Sequence, residues 1–150
     1  AMLTWYFSGV EERQRNPNAE PQSLLSANII EVPLRQNRQG HYLVNGFING
    51  REVEFLLDTG ATDVVIPEPL ARELNLPYGQ PMQAITANGA VTVFRTRIDQ
   101  LAIGDILLEN IPASINTGES FGAILLGMSA LSQIEFRQQG KVLTLRQRSS

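Results

Sequence analysis

Residues 55–62 read Phe-Leu-Leu-Asp-Thr-Gly-Ala-Thr. Its apolar residues predict a buried strand, yet the strand ends on the carboxylate of Asp58. A buried charge is costly unless it is paired or serves a chemical purpose. Thr59 supplies a hydroxyl for hydrogen bonding, Gly60 lets the backbone turn tightly beside the carboxylate, and Ala61 adds little bulk. The stretch therefore predicts a catalytic carboxylate.

An Asp-X-Gly triplet also closes ordinary β-turns, so the triplet alone does not separate a functional aspartate from a turn residue. Two further apolar stretches make the pattern more specific, namely residues 64–66 (Val-Val-Ile) and residues 124–127 (Ile-Leu-Leu-Gly). The chain also repeats one pattern: residues 48–50 lead through a strand to the glycine turn at residues 58–60, and residues 103–105 lead through a strand to Gly127. This faint repetition predicts a pseudo-symmetric barrel.

Strand and turn signals alternate along most of the chain. The Asn-Gly pairs at residues 49–50 and 88–89 are typical of two-residue hairpin turns, and Gly-Asp at residues 104–105 predicts another hairpin. Residues 69–76 and 128–133 are typical of short helices. The pattern predicts an all-β fold, a closed barrel with one or two short helices.

The length of 150 residues fits one domain, which we predict over residues 28–148. Residues 1–27 are predicted to form an arm or linker, because residues 8–27 are largely polar and contain two prolines. The aromatic cluster at residues 5–7 allows two interpretations. It could be the end of a membrane anchor that precedes this sequence, since Trp and Tyr favour the membrane interface, or a small apolar patch that docks on the domain.

The composition excludes several kinds of site. Cysteine is absent, which excludes thiolate catalysis, disulfides and Cys-ligated zinc. One histidine, His41, is too few for a His-rich metal site, so we expect no metal and no cofactor. The net charge of −3 and the lack of a broad Lys/Arg block predict no nucleic-acid partner.

The chain resembles the retropepsin-like aspartic proteases, and among them a bacterial membrane-anchored group. The Asp-Thr-Gly-Ala core at residues 58–61 is the diagnostic part of this resemblance. Further matching stretches occur in the same order at residues 15–18, 39–42, 86–89 and 125–129. The resemblance implies a homodimer that hydrolyses polypeptides, with one Asp58 from each subunit. It also implies an inner-membrane anchor outside this sequence and a periplasmic protease domain.

The resemblance further implies roles for the neighbours of Asp58. Thr59 would bond across the dimer axis, Gly60 and Ala61 would complete the active-site loop, and residues 126–127 (Leu-Gly) would support this loop from beneath.

A flap over the substrate is also implied, spanning residues 84–95, with Ala87, Asn88, Gly89 and Ala90 around its tip. Thr62 and Asp63 would face the substrate. In the retroviral members, an acidic residue usually stands at the position of Thr62 and an arginine at that of Met128. The two normally form an ion pair, and its loss here bears on dimer strength.

Two other functions are compatible with the sequence. One is a catalytically silent module that binds peptides in the same groove. The other is a structural β-barrel adaptor whose turn matches the motif by chance, which predicts a monomer in which Asp58 has no role.

Overall fold

A computed structural model describes residues 14–87, 89–118 and 122–149 of the chain. Eleven strands and two short helices lie within them. The strands are β1 (Leu24–Ser26), β2 (Ile29–Arg35), β3 (Leu43–Ile48), β4 (Arg51–Leu57), β5 (Val64–Pro67), β6 (Pro81–Thr86), β7 (Gly89–Ile103), β8 (Ile106–Asn116), β9 (Ile124–Leu126), β10 (Glu135–Gln139) and β11 (Val142–Arg148). The helices are α1 (Glu68–Glu73) and α2 (Met128–Leu131).

Six strands close into a barrel in the order β3-β4-β9-β5-β8-β7, because β7 also pairs with β3. The closing contact joins Phe47 to Ala102 and Ile48 to Leu101. Gly46 precedes this contact, and a Cβ there would lie 2.3 Å from the Ala102 carbonyl oxygen. Only glycine therefore allows the two backbones to approach so closely. The predicted all-β barrel with short helices is confirmed.

The two apolar strands that end the sequence halves lie side by side. β4 runs parallel to β9, with Phe55 opposite Ile124 and Leu57 opposite Leu126. Their neighbours β5 and β8 are also parallel. Parallel strands are usually buried on both faces, which explains why these segments read as continuous apolar runs rather than as alternating ones.

The barrel interior is filled mainly with branched aliphatic side chains, with Phe55 among them. Phe55, Ile66, Ile98, Ile115 and Leu126 are almost completely buried. Each such side chain contributes about 1.5–3 kcal/mol when it leaves water. The strands that carry Asp58 and its supporting turn are therefore anchored in the most buried part of the molecule.

A second, antiparallel sheet packs beside the barrel in the order β1-β2-β11-β10. Val32, Leu34, Leu143 and Leu145 point from its central strands into the common core. β1 falls within the predicted arm, for which no strand was predicted. Its residues are exposed, and only its pairing with β2 shapes it into a strand.

The chain that precedes β1 is anchored by two buried asparagines. The Asn16 amide donates to Asn45 Oδ1 at 2.7 Å and to Glu54 Oε2 at 3.0 Å. Asn18 bonds the backbone of Arg35 and donates to the Leu43 carbonyl. The domain boundary at residue 28 stays a prediction, and this anchoring indicates that residues before it contribute to the packing.

Three predicted turns can be compared with the structure. The turns at residues 49–50 and 104–105 are confirmed by the pairing of Ile48 with Arg51 and of Ile103 with Ile106. The turn predicted at residues 88–89 is wrong for Gly89, which pairs with Thr86 and belongs to β7. Asn88 lies outside the described residues. Gly89 uses its positive φ of 103° as the first residue of β7 instead.

Candidate active site

Asp58 lies where β4 ends, half-buried at the surface of the barrel. Its backbone N–H donates to the Leu126 carbonyl at 3.1 Å, which ties the end of β4 to β9. The Gly60 N–H donates to Asp58 Oδ1 at 2.9 Å, and the Ala61 N–H donates to the Asp58 carbonyl at 3.1 Å. These bonds hold the carboxylate in a fixed orientation while part of it remains open to solvent.

The start of α2 supports the loop that carries Asp58. The Met128 N–H donates to the Ala61 carbonyl at 2.8 Å, and the Ser129 N–H donates to the Thr62 carbonyl at 2.8 Å. The two bonds do not join Thr62 to Met128 themselves, but they connect residues 61–62 of the loop to residues 128–129 of the helix through the main chain.

Gly127 fits directly against the same loop. A Cβ at this position would lie 2.1 Å from the Asp63 carbonyl oxygen and 2.7 Å from that of Ala61. Real side chains do not reach such distances, so a larger residue must displace the loop. Leu126 and Gly127 therefore contact the Asp58 loop, as expected from the sequence, although their role in activity stays a prediction.

Ser129 is a structural residue that sequence reasoning missed. Its Oγ accepts a hydrogen bond from the Val64 N–H at 3.0 Å and donates to the Pro112 carbonyl at 2.7 Å. One hydroxyl thus joins α2 to β5 and β8 just behind the loop. The only signal in the sequence is a serine in the first turn after a glycine, which is too common to be informative.

Asp63 is engaged by a second residue that the sequence did not point to. The Ser114 hydroxyl on β8 donates to Asp63 Oδ2 at 3.1 Å. Asp63 is half-buried, whereas Thr59, Gly60 and Thr62 are exposed. The structure therefore brings residues 58–63 together with residues 126–127, and it leaves Thr59 accessible to another molecule.

The hairpin of β6 and β7 is a separate element with an anchored base. The Gly79 N–H donates to the Arg95 carbonyl at 2.6 Å, and the Tyr78 ring meets Phe94 edge-on at a centroid distance of 5.2 Å. The Tyr78 hydroxyl also donates to Glu68 of α1 at 3.0 Å. The base of the hairpin is therefore fixed to the barrel.

The far end of this hairpin is exposed. Ile85 is 92 % exposed, and Ala87, Gly89 and Ala90 are exposed as well. Asn88 lies outside the described residues. An anchored base and an exposed tip suit an element that covers a bound molecule, but the assignment of these residues to a flap stays a prediction.

Within residues 14–87, 89–118 and 122–149, no group of three or more His, Cys, Asp or Glu side chains could hold a metal ion. The Asp58 loop carries a carboxylate that is partly open to solvent, and a carboxyl group can accept or donate a proton.

Two proteins with sequences similar to this chain carry names that describe them as uncharacterized. The chain is 29 % identical over 111 residues to an uncharacterized protein from the cobV 5′ region of a Sinorhizobium species, covering 72 % of this chain and 48 % of that protein. It is 27 % identical over 124 residues to an uncharacterized protein of Rickettsia prowazekii (strain Madrid E), covering 80 % and 53 %. The chain thus spans about half the length of these relatives.

Solved structures and a family model agree on the fold. A retropepsin-like aspartic protease from Rickettsia conorii matches with a TM-score of 0.70 and 26 % identity, covering 87 % of this chain and 97 % of that one. EIAV protease in complex with the inhibitor HBY-793 has the same fold, with a TM-score of 0.50 and 20 % identity over 64 % of this chain and 89 % of that one. The family model described as "gag-polyprotein putative aspartyl protease" matches residues 44–133, more than half of the chain. The chain therefore belongs to the retropepsin-like aspartic proteases.

Proposed function

We propose that the chain is one subunit of a homodimeric aspartic endopeptidase in which the Asp58 carboxylates of two subunits activate a water molecule. The observation that carries this proposal is the half-buried Asp58, oriented by the Gly60 N–H at 2.9 Å and fixed to β9 through its own backbone. The loop that carries Asp58 also packs against Gly127, where any side chain would clash with it. An aspartate in an ordinary surface turn needs no such support.

In the proposed reaction, the two Asp58 carboxylates share one proton, as the dyads of aspartic proteases do. The ionised carboxylate removes a proton from the water between them, and the water attacks the peptide carbonyl carbon. The protonated carboxylate donates its proton toward the carbonyl oxygen. The resulting diol then breaks its C–N bond as the leaving nitrogen takes up a proton. No covalent intermediate forms with the protein.

The second carboxylate is assigned to another chain because the nearby alternatives have different environments. Glu54, four residues before Asp58, accepts hydrogen bonds from Arg15 and Asn16. Asp63, five residues after it, accepts a hydrogen bond at Oδ2 from the Ser114 hydroxyl of β8. One chain supplies one Asp-Thr-Gly stretch. A two-fold dimer is the simplest assembly that supplies two.

The same proposal assigns roles to the neighbouring residues. Thr59 is exposed and follows Asp58 directly, so its hydroxyl can bond the partner's loop across the axis. Gly60 presents no side chain, which lets a substrate backbone approach the carboxylates. Thr62 and Asp63 lie at the end of the same loop and would contact substrate side chains. The hairpin tip at residues 87–90 would close over the substrate.

The proposal also covers the location of the full protein. An inner-membrane anchor before this sequence, with the protease domain in the periplasm, is supported by the aromatic cluster at residues 5–7, which lies outside the described residues. In the part of the chain that is described, no helix is long and apolar enough to cross a membrane. Fractionation of the full-length protein tests this location, and recovery in the cytosolic fraction contradicts it.

A catalytically silent peptide-binding module is the alternative function. Such a module binds peptides in the groove but does not cleave them. It therefore predicts no cleavage by the wild type and no effect of an Asp58 substitution on peptide binding. The test compares cleavage of a peptide library by the wild type and by Asp58→Asn. We expect cleavage by the wild type alone, with both proteins equally folded. Peptide binding without cleavage by the wild type would favour the silent module.

A further inference from the structure

The base of the β6–β7 hairpin borders a groove that the proposed mechanism does not use. This groove has a volume of about 310 Å³ and is lined by residues 77–79, residues 95–97 and Pro112. Arg95 and Arg97 are exposed, and two prolines and the Tyr78 ring supply apolar surface. Among the described residues that line the groove, none is acidic. The groove therefore combines positive charge with apolar walls.

Neither arginine is neutralised within the described part of the chain. No carboxylate there forms an ion pair with Arg95 or Arg97. The Arg97 guanidinium donates to a neutral acceptor, the Asn110 carbonyl, at 3.2 Å. Guanidinium groups bind carboxylates through charge-assisted and often bidentate hydrogen bonds. Two of them beside one groove therefore favour a ligand that carries a carboxylate.

The strand that carries the two arginines also has an open edge at the groove. The Arg95 carbonyl accepts the Gly79 N–H at 2.6 Å, and the Arg95 N–H donates to the Gln80 carbonyl at 3.0 Å. Residues two apart in a strand direct their backbone groups to the same edge, so Arg97 presents its N–H and carbonyl here as well. In the described chain, no backbone hydrogen bond joins Arg97 to residues 77–78. An extended peptide can pair with this free position.

A row of residues across the sheet connects the groove to the Asp58 loop. Arg95 lies opposite Ser114 of β8, so the two side chains are on the same face of the sheet. The Ser114 hydroxyl in turn donates to Asp63 at the end of the Asp58 loop. The strands β5, β8 and β7 are neighbours, and two strand spacings amount to about 10 Å. An extended polypeptide covers this distance in about three residues, so a chain bound near Asp63 can reach the groove.

We propose that the groove binds an acidic segment of the polypeptide substrate, an inference that rests on the proposed function and extends it to the class of substrate. A substrate carboxylate contacts Arg95 and Arg97, and the substrate backbone pairs at Arg97. The acidic residue then lies at least about three positions from the cleaved bond. A small anion such as phosphate would satisfy the guanidinium groups but would leave the strand edge and the apolar walls unused. A nucleic acid would approach a chain whose net charge is −3.

Peptide binding to Asp58→Asn tests the site without consuming the ligand. The probes are the blocked hexapeptide Gly-Glu-Val-Glu-Ser-Glu and its counterpart with glutamine in place of each glutamate, and amide chemical shifts are followed. We expect the acidic peptide to shift the amides of residues 78–79 and 95–97, and to bind more weakly at higher salt. Arg95→Gln and Arg97→Gln should each raise its Kd about threefold to fivefold, and the double variant about tenfold or more.

Arg38→Gln is the matched control, because Arg38 is exposed in the turn between β2 and β3 and does not line the groove. It removes the same charge and should leave the Kd unchanged. Circular dichroism verifies that each variant is folded. Equal binding of the two peptides, shifts confined to residues outside the groove, or a Kd that the Arg95 and Arg97 variants do not change would overturn the inference. Binding of the acidic peptide no tighter than that of inorganic phosphate would also overturn it.

Cleavage of a peptide library by the wild type tests whether the groove serves the substrate. Acidic residues should be enriched at least about three positions from the cleaved bond. For a cleaved acidic peptide and its glutamine counterpart, the ratio of the two kcat/KM values should fall about threefold or more in Arg95→Gln/Arg97→Gln. Arg38→Gln should keep the wild-type ratio. A library profile without a preference for acidic residues would contradict the assignment of the groove to the substrate.

The inference and the proposed function can fail separately. If the acidic peptide binds at the groove but the wild type cleaves no peptide, the proposed chemistry fails and the groove stands as a peptide-binding site. If the wild type cleaves peptides but the acidic probe does not bind, the cleavage function stands and the inference fails.

Discussion

The anchoring of the N-terminal arm gives a stability prediction that can be worked from individual hydrogen bonds. Asn18 is 6 % exposed, and its side-chain nitrogen donates to the carbonyls of Arg35 at 2.9 Å and Leu43 at 2.8 Å. Its side-chain oxygen accepts the Arg35 N–H at 2.8 Å. Asn18→Ala removes all three bonds at once and leaves their backbone partners without the amide.

The cost of this change depends on how much water can reach each partner. Arg35 is exposed, so water can replace its two bonds in part, at a cost of about 0.5–1 kcal/mol each. The Leu43 carbonyl belongs to a buried residue, and an unsatisfied buried group costs about 1–2 kcal/mol. The sum is roughly 2–4 kcal/mol. For a domain of this size, that lowers the unfolding midpoint by about 4–16 °C.

Thermal and urea unfolding followed by circular dichroism measure this loss. Asn28→Ala is the matched control, since Asn28 is exposed in the turn between β1 and β2, and we expect a change within about 0.5 kcal/mol. If Asn18→Ala is no less stable than Asn28→Ala, the arm does not contribute to the folded domain and the reasoning fails.

Three further predictions concern the site. Gly127→Ala should lower cleavage about 100-fold or more, because its Cβ would lie 2.1 Å from the Asp63 carbonyl oxygen and must shift the Asp58 loop. Wild-type kinetics in this variant would contradict the packing argument. Cleavage should be fastest at weakly acidic pH and fall as pH rises, because the pair of carboxyl groups then loses the proton that it donates to the substrate. A rate that is flat from weakly acidic to alkaline pH would contradict a shared proton. A bound peptide inhibitor should slow amide hydrogen exchange at residues 84–91 and leave the exchange of the buried part of β2 unchanged. Equal exchange at residues 84–91 with and without inhibitor would contradict the flap assignment.

The strands of the barrel and the turn at Asp58 could be predicted because their signals are local. The apolar run that ends at Asp58, the glycine after Leu126 and the Asn-Gly turn at residues 49–50 each specify a backbone conformation within a few residues. The barrel closure could not be predicted in the same way. It depends on Gly46 meeting Ala102, two residues far apart in the sequence.

Polar residues that act over long sequence separations were the ones that sequence reasoning missed. Asn16 and Asn18 stand among prolines and charged residues, which is typical of a linker, and their burial follows from partners on β2, β3 and β4. Ser129 is comparable, since its hydroxyl connects Val64 and Pro112. Side chains of this kind acquire their role from the tertiary structure, and a single sequence carries no periodic signal for it.

The central claim, that each active site needs the Asp58 of two chains, is tested most directly by mixing subunits. Wild-type and Asp58→Asn chains are mixed at different ratios, and exchange is verified with mass-tagged subunits. If both aspartates are needed, activity per total protein follows the square of the wild-type fraction, and an equal mixture retains about a quarter of the pure wild-type activity. A linear dependence with proven exchange, retaining about a half, would contradict the shared dyad and would indicate that Asp58 works with a carboxylate of its own chain.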